Sequence, residues 1–234
     1  MPPPTNVALV IPAWNEAESI GAVLDEVPPS TIDHLLVVVG GPTDPTAAVA
    51  RAHGGQVLVQ QQRGYGAACW TGAQAALAAD AQIIAFLDGD YADPPAALAR
   101  ILAPLLDGRA DLVLGCRDLS RHPNALPLHA RLGNRFVLLL LRALLGRRFV
   151  DLPSFKAIRA DALRLLELSE MTYGWTVEML VKAARANLRI TEVAVEYRPR
   201  LGGQSKVAGN LRGSLGAAAK LISCAIAYAA WRPV

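Results

Sequence analysis

Within AQIIAFLD, residues 81–88, the run Ile83 to Leu87 is apolar at every position and stops abruptly at the Asp88 carboxylate. A strand wetted on one face alternates apolar and polar residues. One that is apolar throughout is covered on both faces. HLLVVVG at 34–40 reads the same way, and NVALVIPA, QVLVQ and ADLVLGCR are runs of similar type. Stretches with helical spacing separate them. NEAESIGAVLDEV places Ile20, Val23, Leu24 and Val27 on one face, with Asn15 as the expected N-cap. DPTAAVARAHG closes on Gly54-Gly55, GAACWTGAQAALAA is Ala-rich, and PPAALARILAPLL opens on proline. Buried strands alternating with helices predict an α/β chain, with a mainly parallel central sheet and helices on both faces.

The second half is less regular. PLHARLGNRFVLLLLRALLG and GWTVEMLVKAARANL read as helices, and RITEVAVEYRPR reads as a strand. LPSFKAIRADALRLLEL is a strand or loop entering a helix. A Gly-rich basic loop, LGGQSKVAGN, precedes a last helical segment. No repeat or low-complexity linker interrupts the 234 residues, so a single unit is expected, changing role near residue 118.

Charge marks that change. Residues 1–118 hold five Lys/Arg against 13 Asp/Glu, whereas residues 119–234 hold 18 against seven. Residues 119–150 contain six arginines and no acid, and six more basic residues follow Glu196 with no acid. This surplus predicts an anionic partner, or at its plainest a solvated basic face. Aromatic residues are too sparse among the basic ones to suggest nucleic acid, and phosphate on a nucleotide or a lipid headgroup fits better. A chain with 53% hydrophobic and 18% charged residues is not disordered. Cys69, Cys116 and Cys224 lack metal-ligand spacing, so reduced thiols and a cytoplasmic location are expected. VALVIPAW has no basic stretch before it and reads as a strand rather than a leader. FVLLLLRALLG (136–146) is too short to span a bilayer and holds Arg142; SLGAAAKLISCAIAYAAW (214–231) holds Lys220.

Four strand ends carry residues suited to a ligand: Pro12 to Glu16, Gly40 to Asp44, Asp88-Gly89-Asp90, and Gly115-Cys116-Arg117. In open α/β sheets, ligands sit beyond the carboxyl ends of the strands. Two carboxylates one residue apart repel each other unless a cation lies between them. Mg²⁺ or Mn²⁺ takes one or two protein carboxylates plus substrate phosphate oxygens. A strand-ending turn would use the same triplet without any metal. No G-x-G-x-x-G follows the first strand, which argues against a dinucleotide oxidoreductase.

In order and spacing, VIPAWNEAESI, RGYGAACWTGAQAA, FLDGDYADPP, LVLGCR, DLPSFKAIRADAL and YGWTVEMLVKAARANLRITEVAVEYRPRLGGQSK resemble family 2 glycosyltransferases of the nucleotide-diphospho-sugar (GT-A) fold. Within that family the chain is similar to dolichol- or polyprenyl-phosphate sugar synthases. The resemblance implies transfer of a hexosyl group from a UDP- or GDP-sugar to a polyprenyl phosphate, with inversion, aided by Mg²⁺ or Mn²⁺. It implies a donor site at Pro12, Ala13, Glu16, Asp44, Arg63, Asp88 and Gly89, with Asp88 and Asp90 on the metal. Asp90, Arg117, Arg200 and Glu178 are the implied catalytic residues. Arg117, Arg131, Asn134, Arg135, Arg200, Ser205 and Lys206 are implied at the acceptor. Cys116 replaces the serine of the family's G-S-R, and Val39-Gly40 replaces its acids that read the base. A hydroxyl acceptor would instead need a base, with Glu178 or Asp151 as candidates. A degenerate protein keeping the fold without turnover is the remaining alternative. RLGNRFVLLLLRALLGRR, leucine-rich with five arginines, is expected either at the surface of a membrane's cytoplasmic face or as a core helix capped by its arginines.

Overall fold

The computed structural model describes residues 5–202 and 211–233. Seven strands form one sheet: β1 (Val7–Ala13), β2 (His34–Val39), β3 (Gln56–Val59), β4 (Ile83–Phe86), β5 (Leu112–Asp118), β6 (Lys156–Arg159) and β7 (Ile190–Glu196). Their order is β3-β2-β1-β4-β6-β5-β7. Only β6 runs antiparallel to its neighbours, wedged between β4 and β5. The helices are α1 (Ile20–Glu26), α2 (Thr46–Ala52), α3 (Tyr65–Ala78), α4 (Leu98–Leu106), α5 (Leu128–Leu145), α6 (Ala160–Leu166), α7 (Trp175–Arg185) and α8 (Leu211–Tyr228).

Each face of the sheet is covered, which is why the central strands β1 and β4 are apolar at every position. Val7, Leu9 and Ile11 of β1 pack with Val23 of α1, Ala50 of α2 and Leu102 of α4. Ala8 and Val10 face the other way, into a core holding Cys69 of α3, Val137 of α5, Leu180 of α7 and Cys224 of α8. The order reverses at β1, which pairs with β2 on one side and β4 on the other. That reversal opens a crevice at the strands' carboxyl ends. Asp88 and Asp90 lie just past β4, at its rim.

One expectation fails here. Asn15 does not cap α1, which begins only at Ile20. Asn15 adopts a left-handed φ of 54°. Its N–H is held by Asp44 Oδ2 at 3.1 Å, and the Glu16 N–H by Thr46 Oγ1 at 2.9 Å. These bonds tie the end of β1 to the start of α2 and delay the helix by a turn.

Candidate active site

A cavity of roughly 580 Å³ occupies the crevice. Pro12, Ala13 and Glu16 line it from the end of β1, and Asp88, Gly89 and Asp90 from the end of β4. Arg63, Arg117, Asn134 and Arg200 complete the expected residues on its wall. Its acidic corner is tightly organised. The Ser19 hydroxyl donates to Gly89 O at 2.7 Å, and Asp90 Oδ1 accepts the Ala92 N–H at 2.9 Å. The Arg200 guanidinium bridges Asp90 Oδ2 and Glu16 Oε1, the latter at 2.8 Å.

Below the corner lies a buried polar layer. Asp88 Oδ1 is buried without a hydrogen-bond partner among the described residues. Burial, then the adjacent Asp90, pushes Asp88 up to about 6. Asp93 is 1% exposed and accepts the Ser154 hydroxyl at 2.7 Å, while its other oxygen is unpartnered among the described residues. Burial, then the Asp88 charge, pushes it up to about 7. Lys156, fully buried on β6, donates to Pro153 O at 3.0 Å and Thr176 Oγ1 at 2.8 Å, and burial lowers its pKa. Two raised carboxyls with orphaned oxygens form a site short of positive charge. A hard divalent cation on Asp88 and Asp90 would supply it, with phosphate oxygens filling its shell. Among the described residues no group of three or more His, Cys, Asp or Glu could hold a metal by itself.

The basic wall is built on Arg117, which projects from β5. Asp151 grips its guanidinium at 2.7 and 2.6 Å, and Tyr197 lies beneath it at 5.5 Å. Burial alone would lower the Arg117 pKa, but the Asp151 hydrogen bonds outweigh it and raise it. Leu126, Ala130, Leu152, Val177 and Leu221 form an apolar limb of the wall, with Ala130 on α5 and Leu221 on α8, two helices that pack together.

Several expected residues stand elsewhere. Glu178 is fully buried away from the cavity wall. It pairs with Lys182 at 2.9 Å and accepts the Ser169 and Glu170 backbone N–H groups. It therefore holds the 167–172 turn and is not placed to act as a base. Asp151 is likewise committed, to Arg117. Asp44 does not line the cavity, because its oxygens accept the Asn15 and Thr46 N–H groups. Arg131 and Arg135 are exposed on α5 and do not reach the wall. Ser205 and Lys206 lie outside the described residues.

The missing acid at residue 40 has a steric counterpart. A Cβ on Gly40 would meet Trp14 Cδ1 at 2.7 Å. The half-exposed indole of Trp14 thus takes the space beside β2 where a side chain at 40 would stand. Trp14, Tyr65, Ser154, Lys156 and Tyr197 were not singled out from the sequence. The segments IPAWNE, RGYG, DLPSFK and EYRPR contain them, but only the fold brings Trp14, Tyr65, Ser154 and Tyr197 to one cavity and buries Lys156 against Thr176 of its wall.

The family model for "Glycosyl transferase family 2" matches residues 8–166. An uncharacterized glycosyltransferase of Mycobacterium tuberculosis is 39% identical over 212 residues, covering 89% of this chain and 93% of that protein. A dolichyl-phosphate hexose transferase of Haloferax volcanii is 32% identical over 199 residues, covering 84% and 85%. Among solved structures, glucosyl-3-phosphoglycerate synthase of M. tuberculosis, in complex with Mn²⁺, UDP and glucosyl-3-phosphoglycerate, superposes with a TM-score of 0.78 at 23% identity. That match covers 99% of this chain and 82% of the other and shows a shared fold.

Proposed function

The chain belongs to glycosyl transferase family 2 and is a glycosyltransferase of the GT-A fold, and from that premise we propose that it transfers a hexosyl group from a nucleotide sugar to a polyprenyl phosphate. The observation that carries this reading is the division of the cavity. The acidic side chains on its described wall, Glu16, Asp88 and Asp90, all stand at the donor corner. The rest of the wall includes Arg117, Asn134 and the apolar limb. A phosphate head with a hydrocarbon tail matches that sequence of surfaces.

Among the described residues neither carboxylate candidate, Glu178 or Asp151, is available as a base at the acceptor side, which supports an anionic nucleophile. A hydroxyl must lose a proton as it attacks, and so needs a group within hydrogen-bond reach. Glu178 and Asp151 are both engaged elsewhere. A phosphate oxygen is already charged at neutral pH and needs only orientation and a positive field. It attacks C1 of the sugar, the bond from C1 to the β-phosphate oxygen breaks, and a nucleoside diphosphate leaves with inversion at C1. Arg117, fixed by Asp151, orients the attacking phosphate. Arg200, beside Glu16 and Asp90 at the donor corner, stabilises phosphate charge. Asp88 and Asp90 would hold Mg²⁺ or Mn²⁺, which when bound neutralises charge building on the leaving diphosphate. Pro12, Ala13, Glu16 and Gly89 position the nucleotide. The dolichyl-phosphate relative supports this acceptor. The Mn²⁺ and UDP bound to the structural neighbour support the donor and the metal.

A lipid acceptor requires access to a membrane surface. Among the described residues no helix is long and apolar enough to cross one. On α5, however, Leu128, Leu132, Phe136 and Leu139 are 68, 58, 59 and 56% exposed. At 100° per residue they form one stripe, opposite Ala130 and Asn134 on the cavity side, with exposed Arg131, Arg135 and Arg142 along its edge. Such a helix lies in an anionic headgroup layer with its stripe among the acyl chains. In this reading the protein works peripherally at the cytoplasmic face, with the apolar limb beside the lipid.

The test is incubation of the purified protein with labelled UDP- and GDP-hexoses, Mn²⁺ and a short-chain polyprenyl phosphate. Label should enter the organic phase only when the lipid phosphate is present. Efficient transfer to 3-phosphoglycerate or a glycan, with none to lipid phosphate, would overturn the acceptor assignment.

A further inference from the structure

Asp90 has no free oxygen. Its Oδ1 accepts the Ala92 N–H, its Oδ2 accepts Arg200 Nη1, and its backbone O accepts the Leu201 N–H at 3.2 Å. Arg200 also reaches Glu16 with its second terminal nitrogen, and its Nε is buried without a partner among the described residues. The guanidinium is three-quarters buried and lies between the two carboxylates, where a cation bound to Asp90 would make its closest approach. A divalent ion on Oδ2 and a guanidinium on the same oxygen repel each other in a poorly screened site.

We propose that Arg200 is the resident counter-cation of the nucleotide-free protein, exchanged for the divalent metal as the donor binds. This rests on the metal role assigned above and adds a coupling to it. Metal on Asp90 breaks the ion pair, and the freed guanidinium turns to the phosphates that arrive with the metal. Arg200 is then a positioning residue in the metal-free state and a phosphate ligand afterwards. The pair also suppresses metal binding to the empty protein, because only the fraction with Arg200 released has an open Asp90.

The test is a Mn²⁺ titration of the full chain followed by the EPR signal of free Mn²⁺, first without nucleotide and then with UDP. Without nucleotide, Arg200→Ala should tighten Mn²⁺ binding by about tenfold. Arg200→Lys, which keeps the charge but cannot fork to both carboxylates, should fall between Arg200→Ala and wild type. Glu16→Gln weakens the other arm of the bridge and should also tighten binding, which keeps the idea testable should Arg200→Ala fail to fold. With UDP present, the advantage of Arg200→Ala should vanish or reverse. A folded Arg200→Ala that binds Mn²⁺ no more tightly than wild type overturns the exchange while leaving the metal role standing. So does an unchanged Glu16→Gln if Arg200→Ala does not fold. If no variant binds Mn²⁺ even with UDP, both the metal role and the exchange fall.

Discussion

Asp93→Asn should make the free protein less sensitive to pH, with a sign opposite to ordinary acid denaturation. Asp93 is a buried carboxyl raised from 3.8 to about 7. A raised carboxyl pKa means that the folded state holds its proton more tightly than the unfolded chain. The cost of burying the charge is absent below about 3.8, grows as pH rises, and is complete above about 7. At 1.36 kcal/mol per pKa unit the full cost approaches about 4 kcal/mol. Integrated from pH 5 to pH 8 it changes by about 2–3 kcal/mol. Asn keeps an acceptor for the Ser154 hydroxyl but cannot ionise. Its amide also leaves a buried donor where Asp93 has an unpartnered oxygen, a pH-independent loss of about 1–3 kcal/mol. The stability difference between variant and wild type should therefore move by about 2–3 kcal/mol in favour of the variant between pH 5 and pH 8. Urea unfolding in metal-free buffer at several pH values measures it. A constant difference across that range would refute a buried, proton-retaining Asp93, whatever the mean effect of the substitution.

Four further outcomes follow from the same geometry. Asp88→Ala and Asp90→Ala should each lower transfer by at least about a hundredfold with the fold intact, as EDTA should in wild type; full activity in EDTA would remove the metal from the reaction. Asp151→Ala leaves a buried guanidinium unpaired and should cost about 3–5 kcal/mol in urea unfolding, while Asp151→Asn should chiefly raise the KM for the acceptor. Leu132→Glu with Phe136→Glu should abolish co-sedimentation with phosphatidylglycerol vesicles and spare transfer to a water-soluble short-chain acceptor; unchanged sedimentation would free α5 of a membrane role. Gly40→Asp should not tighten UDP binding by itself, because its Cβ meets the Trp14 indole at 2.7 Å. Calorimetry on Gly40→Asp with and without Trp14→Ala separates the steric block from a lost acidic contact.

The strands and most helices were legible in the sequence because their signals are local. A run such as IIAF can only be satisfied between two layers, and both faces of β4 are in fact buried. The carboxylates at 88 and 90 were legible for a related reason: a parallel sheet delivers its strand ends to one edge. Asn15 was misread because its competitor, the Asp44 carboxylate, is 29 residues away in the chain. Glu178 was misread because a carboxylate on an apolar helix looks the same whether it faces a cavity or, as here, Lys182 and two backbone N–H groups.

The sequence by itself therefore determined the layered α/β architecture, the acidic first half and basic second half, and the residue types at each strand end. These depend on composition and on periods of a few residues. Tertiary structure alone decided which charges meet. It paired Arg117 with Asp151, laid Arg200 across Glu16 and Asp90, sank Lys156 beneath the site, and turned Arg131 and Arg135 outward beside an exposed apolar stripe. An ion pair depends on distance and burial between residues up to 184 positions apart, and no local pattern along the chain encodes that.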